Sequence, residues 1–127
     1  MVIRIDLSSD TPIYVQLRNE IVKGIGKGEL LPGENLPTVR QLSAELGVNA
    51  MTVSKAYQIL KTEGYIETDR RRGAAVRAAG PKGAAAENGR EKMESTLELL
   101  SAEAKLQGMD REEFLRLCGD AFAQMEV

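Results

Sequence analysis

Residues 36–64, LPTVRQLSAELGVNAMTVSKAYQILKTEG, spell two short helices joined by a tight turn. Thr38, just after Pro37, places a hydroxyl where the free N–H groups of an opening helical turn need an acceptor. Val39, Leu42 and Leu46 then recur at i, i+3 and i+7 as one apolar stripe. Gly47 supplies the left-handed residue that ends this helix, and Asn49 caps the next after a connection that allows only a sharp turn. On the second helix Val53, Ala56, Tyr57 and Leu60 share a face, which leaves Met51, Ser54, Lys55 and Gln58 on the opposite one; Gly64 closes it. This is the outline of a helix-turn-helix, whose second helix enters the major groove of DNA. Periodicity alone does not separate it from any other helical hairpin with a glycine turn.

The segments on either side supply the context. Tyr65-Ile66-Glu67-Thr68 and Ala74-Ala75-Val76-Arg77 are two short strands around Asp69-Arg70-Arg71-Arg72-Gly73, a hairpin with three consecutive arginines at its tip. By itself such a charge run reads as a solvated turn. Beside a helix-turn-helix it reads as a wing that lies along the sugar-phosphate backbone or reaches into the minor groove. Upstream, Ile3 and Ile5 mark a small edge strand or extended arm. Ser8, Ser9 and Asp10 precede Pro12, and a helix from about Thr11 to Lys27 carries Tyr14, Leu17, Ile21 and Ile25 toward the helix pair. Gly24, Gly26 and Gly28 mimic a phosphate loop, but they follow a helix and lack the Lys-Ser/Thr pair, so they read as helix termination. Pro32-Gly33 is a type II turn.

Downstream, Ala78 to Gly89 lacks an apolar period and reads as a linker. Met93, Leu97, Leu100 and Ala104 then step along one helix that ends near Gly108. Asp110 with Glu113 opens a last helix bearing Phe114, Leu117, Cys118, Ala121, Phe122 and Met125. Two amphipathic helices cannot bury both of their faces alone, so they pack on the head or on another chain. The fold class is therefore mainly α with a small β-hairpin wing. Residues 1–77 form a winged helix-turn-helix DNA-binding domain, 78–89 a linker, and 90–127 a two-helix dimerisation tail.

Composition limits the function classes. A chain of 127 residues with 43% apolar content leaves little room for a large substrate cavity. It has no histidine and only one cysteine, Cys118, so the usual zinc and haem ligand sets and an internal disulfide are missing. No metal, no cofactor and no enzymatic activity are expected. Without histidine a serine or cysteine nucleophile also lacks its commonest base. No long apolar run and no signal-peptide order occur, which predicts no membrane span and a cytoplasmic protein. The net charge of -2 divides unevenly. Residues 1–80 hold 11 Lys/Arg against 9 Asp/Glu, a charge of +2, and residues 81–127 hold 6 against 10, a charge of -4. That division favours a nucleic-acid head and an acidic tail.

A family resemblance sharpens these expectations. Leu36-Pro37-Thr38-Val39-Arg40-x-Leu42, Leu46-Gly47-Val48-Asn49-x-x-Thr52-Val53-x-Lys55-Ala56-Tyr57-x-x-Leu60 and Gly64-Tyr65-Ile66 resemble the winged helix-turn-helix of GntR-type bacterial transcription regulators. With Pro12-Ile13-Tyr14-x-Gln16-Leu17 and Gly28-x-Leu30-x-Pro32-Gly33, the similarity is to their short-tailed, YtrA-like branch and covers roughly residues 10 to 77. The resemblance implies a DNA face of Thr38, Arg40, Asn49, Ala50, Met51, Thr52, Lys55, Arg70, Arg71, Arg72 and Gly73. Arg40 would hold the backbone and Thr52 and Lys55 would contact phosphates or bases. Ala50 and Met51 depart from the polar or basic residues of relatives and would meet thymine methyl groups instead. The wing departs as well: Arg71 replaces a glycine and Ala75 an aromatic anchor, which predicts a more cationic and less firmly seated hairpin.

The resemblance further implies a homodimer through Met93, Leu97, Leu100, Ala104, Phe114, Leu117, Cys118, Ala121 and Phe122, bound to an inverted-repeat operator of double-stranded DNA and acting as a repressor. A two-fold dimer also answers the short reach of a single recognition helix. A small-molecule effector in the tail interface is the secondary option there. The alternative for the whole chain is a protein-protein adaptor without specific DNA binding.

Overall fold

A computed structural model describes residues 2–126. Helix α1 (Ile13–Gly26) is followed by α2 (Val39–Leu46) and α3 (Ala50–Glu63), then strands β1 (Ile66–Asp69) and β2 (Gly73–Val76), and finally α4 (Gly83–Leu106) and α5 (Arg111–Ala123). The head is built as its periodicity predicts. Leu17 and Ile21 of α1, Leu42 of α2, and Val53, Ala56, Tyr57 and Leu60 of α3 bury their side chains in one core, closed by Ile66 and Val76 of the hairpin. The N-terminal residues form an arm rather than a strand. Ile3 and Ile5 lie on the core, and the Gln16 side chain ties the arm down by accepting from Asp6 N–H at 2.8 Å while donating to the Asp6 and Thr11 carbonyls.

Local chemistry defines the helix-turn-helix. Thr38 Oγ1 accepts from Gln41 N–H at 3.0 Å while Gln41 Oε1 accepts from Thr38 N–H at 2.9 Å, a reciprocal capping box. Gly47 ends α2 at φ 67°, and Asn49 Oδ1 accepts from Met51 N–H at 2.7 Å to open α3. Tyr57 joins the two helices across the core, its hydroxyl donating to the Pro37 carbonyl at 2.7 Å. Burial, and secondarily the Glu45 charge, pushes the Tyr57 hydroxyl up to about 12 from 10.0. Between those values the unfolded chain releases the proton and the folded one keeps it. Stability therefore falls as pH rises from 10 to 12, by about 2 kcal/mol in total. Tyr57→Phe should flatten that decline while costing about 1 kcal/mol at neutral pH, read from urea midpoints at pH 7, 10 and 11.5.

The tail departs from expectation at its start. Residues 78–89 are not one linker: α4 begins at Gly83, so only the few residues after β2 are non-helical. Ala84, Ala85 and Ala86 are the strongest helix formers, and tertiary packing offsets the cost of the glycines around them. The close approach is at Gly64, the α3 C-cap with φ 85°, where a Cβ would come within 3.0 Å of Pro81 Cα and 3.4 Å of Ala85 Cβ. Glu63 reinforces this joint. Arg18 donates to both its carboxylate oxygens at 2.8 and 3.0 Å, and Lys92 of α4 reaches it at 3.5 Å.

The residues expected on one dimerisation stripe also divide. Met93, Leu97, Leu100, Leu117, Ala121 and Phe122 are exposed. Ala104, at 8% exposure, is covered within its own chain, and Phe114 and Cys118 are half-buried. Just beyond α5, Met125 Sδ lies 3.1 Å from the position of a Cβ on Gly26 of α1. No helix of the described residues is long and apolar enough to cross a membrane.

Candidate nucleic-acid interface

Helix α3 turns its apolar residues inward, and this leaves Ala50, Met51, Ser54, Lys55 and Gln58 facing solvent, with Met51 78% exposed and Thr52 half-buried. Asn49 lies at the exposed start of the helix, its side-chain Oδ1 occupied as a cap. Thr38 is likewise spent on the capping box, so its first role is to orient α2. Arg40, two residues on, is exposed. The ion pairs among the described residues use Arg18, Lys23, Arg90 and Lys92, so Arg40 has no carboxylate partner there and no bond to Glu45. Lys55 is held differently, with its ammonium 3.9 Å from the centre of the Tyr14 ring on α1.

The hairpin pairs β1 and β2 in antiparallel register from Ile66↔Val76 to Asp69↔Gly73, leaving Arg70, Arg71 and Arg72 as a three-residue tip. Asp69 Oδ1 accepts from Arg71 N–H at 2.8 Å, and Gly73 takes the left-handed conformation at φ 74° that a loop of this length requires. Among the described residues the Arg70 and Arg71 guanidinium groups have no ion-pair partner. Arg72 is engaged within the chain: its Nη2 donates to the Gly33 carbonyl at 3.0 Å and lies 3.4 Å from Asn35 Oδ1. Arg72, expected with Arg70 and Arg71 on the DNA-facing tip, clasps the wing to the turn before α2.

The hairpin is also seated more firmly than its missing aromatic anchor predicts. Residues 33–36 form a third rung against β2: Gly33 N–H donates to the Val76 carbonyl at 2.9 Å, Val76 N–H to that of Glu34 at 2.8 Å, and Leu36 N–H to that of Ala74 at 2.9 Å. Ala75, bridged to Asn35, is only 3% exposed, and a bulky ring there would have to displace this rung. One bridge is too short to leave a period in the sequence, and the Pro32-Gly33 turn was its only signal.

An exposed polar helix face, an arginine at the start of α2 and two hairpin arginines, all three without an ion-pair partner among the described residues, thus belong to one head. Residues 13–76 match the model of the bacterial regulatory proteins, gntR family. This chain belongs to the GntR family. Along 71 residues it is 48% identical to the HTH-type transcriptional repressor YtrA of Bacillus subtilis (strain 168), which is 56% of this chain and 55% of that protein. The chain therefore spans about half the length of that relative. YtrA from Sulfolobus acidocaldarius, a GntR-family transcription factor of known structure, superposes over 98% of this chain and all of its own with a TM-score of 0.61 and 34% identity. The DNA-binding domain of AraR, solved in complex with operator ORE1, matches 57% of this chain and 92% of its own with a TM-score of 0.51 and 31% identity. The fold is the winged helix of GntR regulators, and the family's named members are transcription regulators rather than enzymes.

Proposed function

We propose that this GntR regulator represses transcription as a homodimer on an inverted-repeat operator, with one head in each half-site. The observation that carries the DNA reading is the cationic wing tip, Arg70 and Arg71, without an ion-pair partner among the described residues, beside a recognition helix whose outer face is free of the protein's own core. In this reading Met51 and Ala50 touch base edges, with Met51 suited to a thymine methyl, and Thr52 and Lys55 take phosphates or bases. Arg40 holds the backbone at the start of α2, and the wing arginines add phosphate attraction. Gly73 shapes the wing tip, Asn49 sets where the recognition helix begins, and Thr38 and Arg72 position their neighbours.

The dimer reading rests on Met93, Leu97 and Leu100, which recur at one face of α4 and stay exposed in the single chain; Leu117 and Phe122 extend apolar exposure onto α5. An apolar surface of that kind calls for a partner, and a second copy supplies the two-fold symmetry that an inverted repeat requires. Repression is carried over from the Bacillus YtrA, which is named a repressor.

Selection of bound duplexes from random-sequence DNA tests the whole: a two-fold symmetric consensus is expected, and failure to retain any duplex at low salt would favour the adaptor reading. The wing is tested separately. Arg71→Ala should weaken binding to all sequences alike and lower the slope of log affinity against log salt by about one unit. Mobility shifts across a salt series check this, and an unchanged slope would remove Arg71 from the interface.

A further inference from the structure

We propose that Tyr14, on α1, is a positioning residue for DNA recognition: its ring holds the ammonium of Lys55 at one fixed place on the recognition-helix face, 3.9 Å from the ring centre. The inference deepens the proposed function, since it rests on Lys55 meeting DNA. Lys55 is the sole cation among residues 50–60 of α3, so the electrostatic character of that half of the recognition helix depends on where one flexible four-carbon chain points. A free lysine samples many rotamers and accommodates a phosphate almost anywhere within reach. A lysine drawn to the electron-rich face of an aromatic ring does not.

The ring itself is held in place. Tyr14 stands in the first turn of α1, half-buried against the head core. That turn is anchored through Gln16, which bonds both Asp6 and the Thr11 carbonyl, and α1 packs along α3. The restraint on Lys55 is therefore built before DNA arrives, and less side-chain freedom is lost on binding. A cation fixed in position favours the duplexes whose backbone or bases reach it and gains nothing from the others. Tyr14 thus contributes to discrimination as well as to affinity.

The test is a double-mutant cycle in the 127-residue chain with Tyr14→Leu, Tyr14→Phe and Lys55→Met. The probes are a duplex recovered by the wild-type protein from random DNA and single-base variants of it. Tyr14→Leu should weaken binding to the selected duplex three- to tenfold and narrow its advantage over the variants, and Tyr14→Phe, which keeps the ring face, should restore both. In the Lys55→Met background Tyr14→Leu should have no further effect. If Lys55→Met weakens binding but the two substitutions act additively, Tyr14 does not act through Lys55 and the inference fails. If Lys55→Met leaves binding unchanged, the reading of Lys55 as a DNA contact fails and the inference falls with it. A readout independent of DNA covers the case in which Tyr14→Leu does not fold. The Lys55 side-chain protons of the free wild-type protein should be shifted upfield by the ring current and remain so in Tyr14→Phe, and unshifted protons would overturn the proposal.

Discussion

Leu97→Glu combined with Leu100→Glu should leave a folded monomer whose affinity for the selected operator is lower by about three orders of magnitude. In the single chain both leucines are 45–46% exposed, so two carboxylates there meet water and cost the head little. Across a two-fold interface each substitution occurs twice, which brings four charges into an apolar contact that offers no partner for them. A monomer keeps one recognition helix and one wing, which cover a single half-site, and its affinity falls toward the non-specific level set by phosphate attraction. Sedimentation at micromolar concentration and mobility shifts on the same duplex read the two effects separately. A variant that remains dimeric and binds normally would show that α4 is not the contact.

Gly64→Ala should cost roughly 3 kcal/mol and lower the melting temperature by roughly 10 °C, where Gly47→Ala costs only about 1 kcal/mol. Both glycines end helices in the left-handed region, at φ 85° and 67°, so the backbone strain of an added Cβ is similar. Their surroundings differ. Nothing lies within 4 Å of a Cβ on Gly47, whereas at Gly64 the nearest atom is the Pro81 backbone at 3.0 Å, which yields only if the start of α4 moves. Thermal unfolding of the two variants measures the difference, and equal losses would mean that the head and tail do not meet closely there. Such a shift of α4 would also carry the tail away from Lys92's partner Glu63, at the far end of the recognition helix.

The elements legible in the sequence are those decided by neighbours in the chain. The capping box of Thr38 and Gln41, the left-handed Gly47, the Asn49 cap and the inward face of Val53, Ala56, Tyr57 and Leu60 each depend on residues a few positions apart, so the helix-turn-helix could be read from 29 consecutive letters. The wing's two strands and its arginine tip were legible for the same reason. Four features were not: the third rung formed by residues 33–36, the Arg72 clasp on Gly33, the burial of Ala104 and the early start of α4. Composition was misleading at α4, where glycine and asparagine around Ala84–Ala86 resemble a linker until Gly64 lets Pro81 and Ala85 approach.

By itself, then, the sequence determined the helix pair, the hairpin and their family, because caps, turns and apolar periods are local interactions written in adjacent residues. Only the tertiary structure decided which cations are engaged within the chain. Lys55 meets Tyr14 from 41 positions away in the chain and Arg72 meets Gly33 from 39, and contacts between such distant residues leave no periodic trace in either partner.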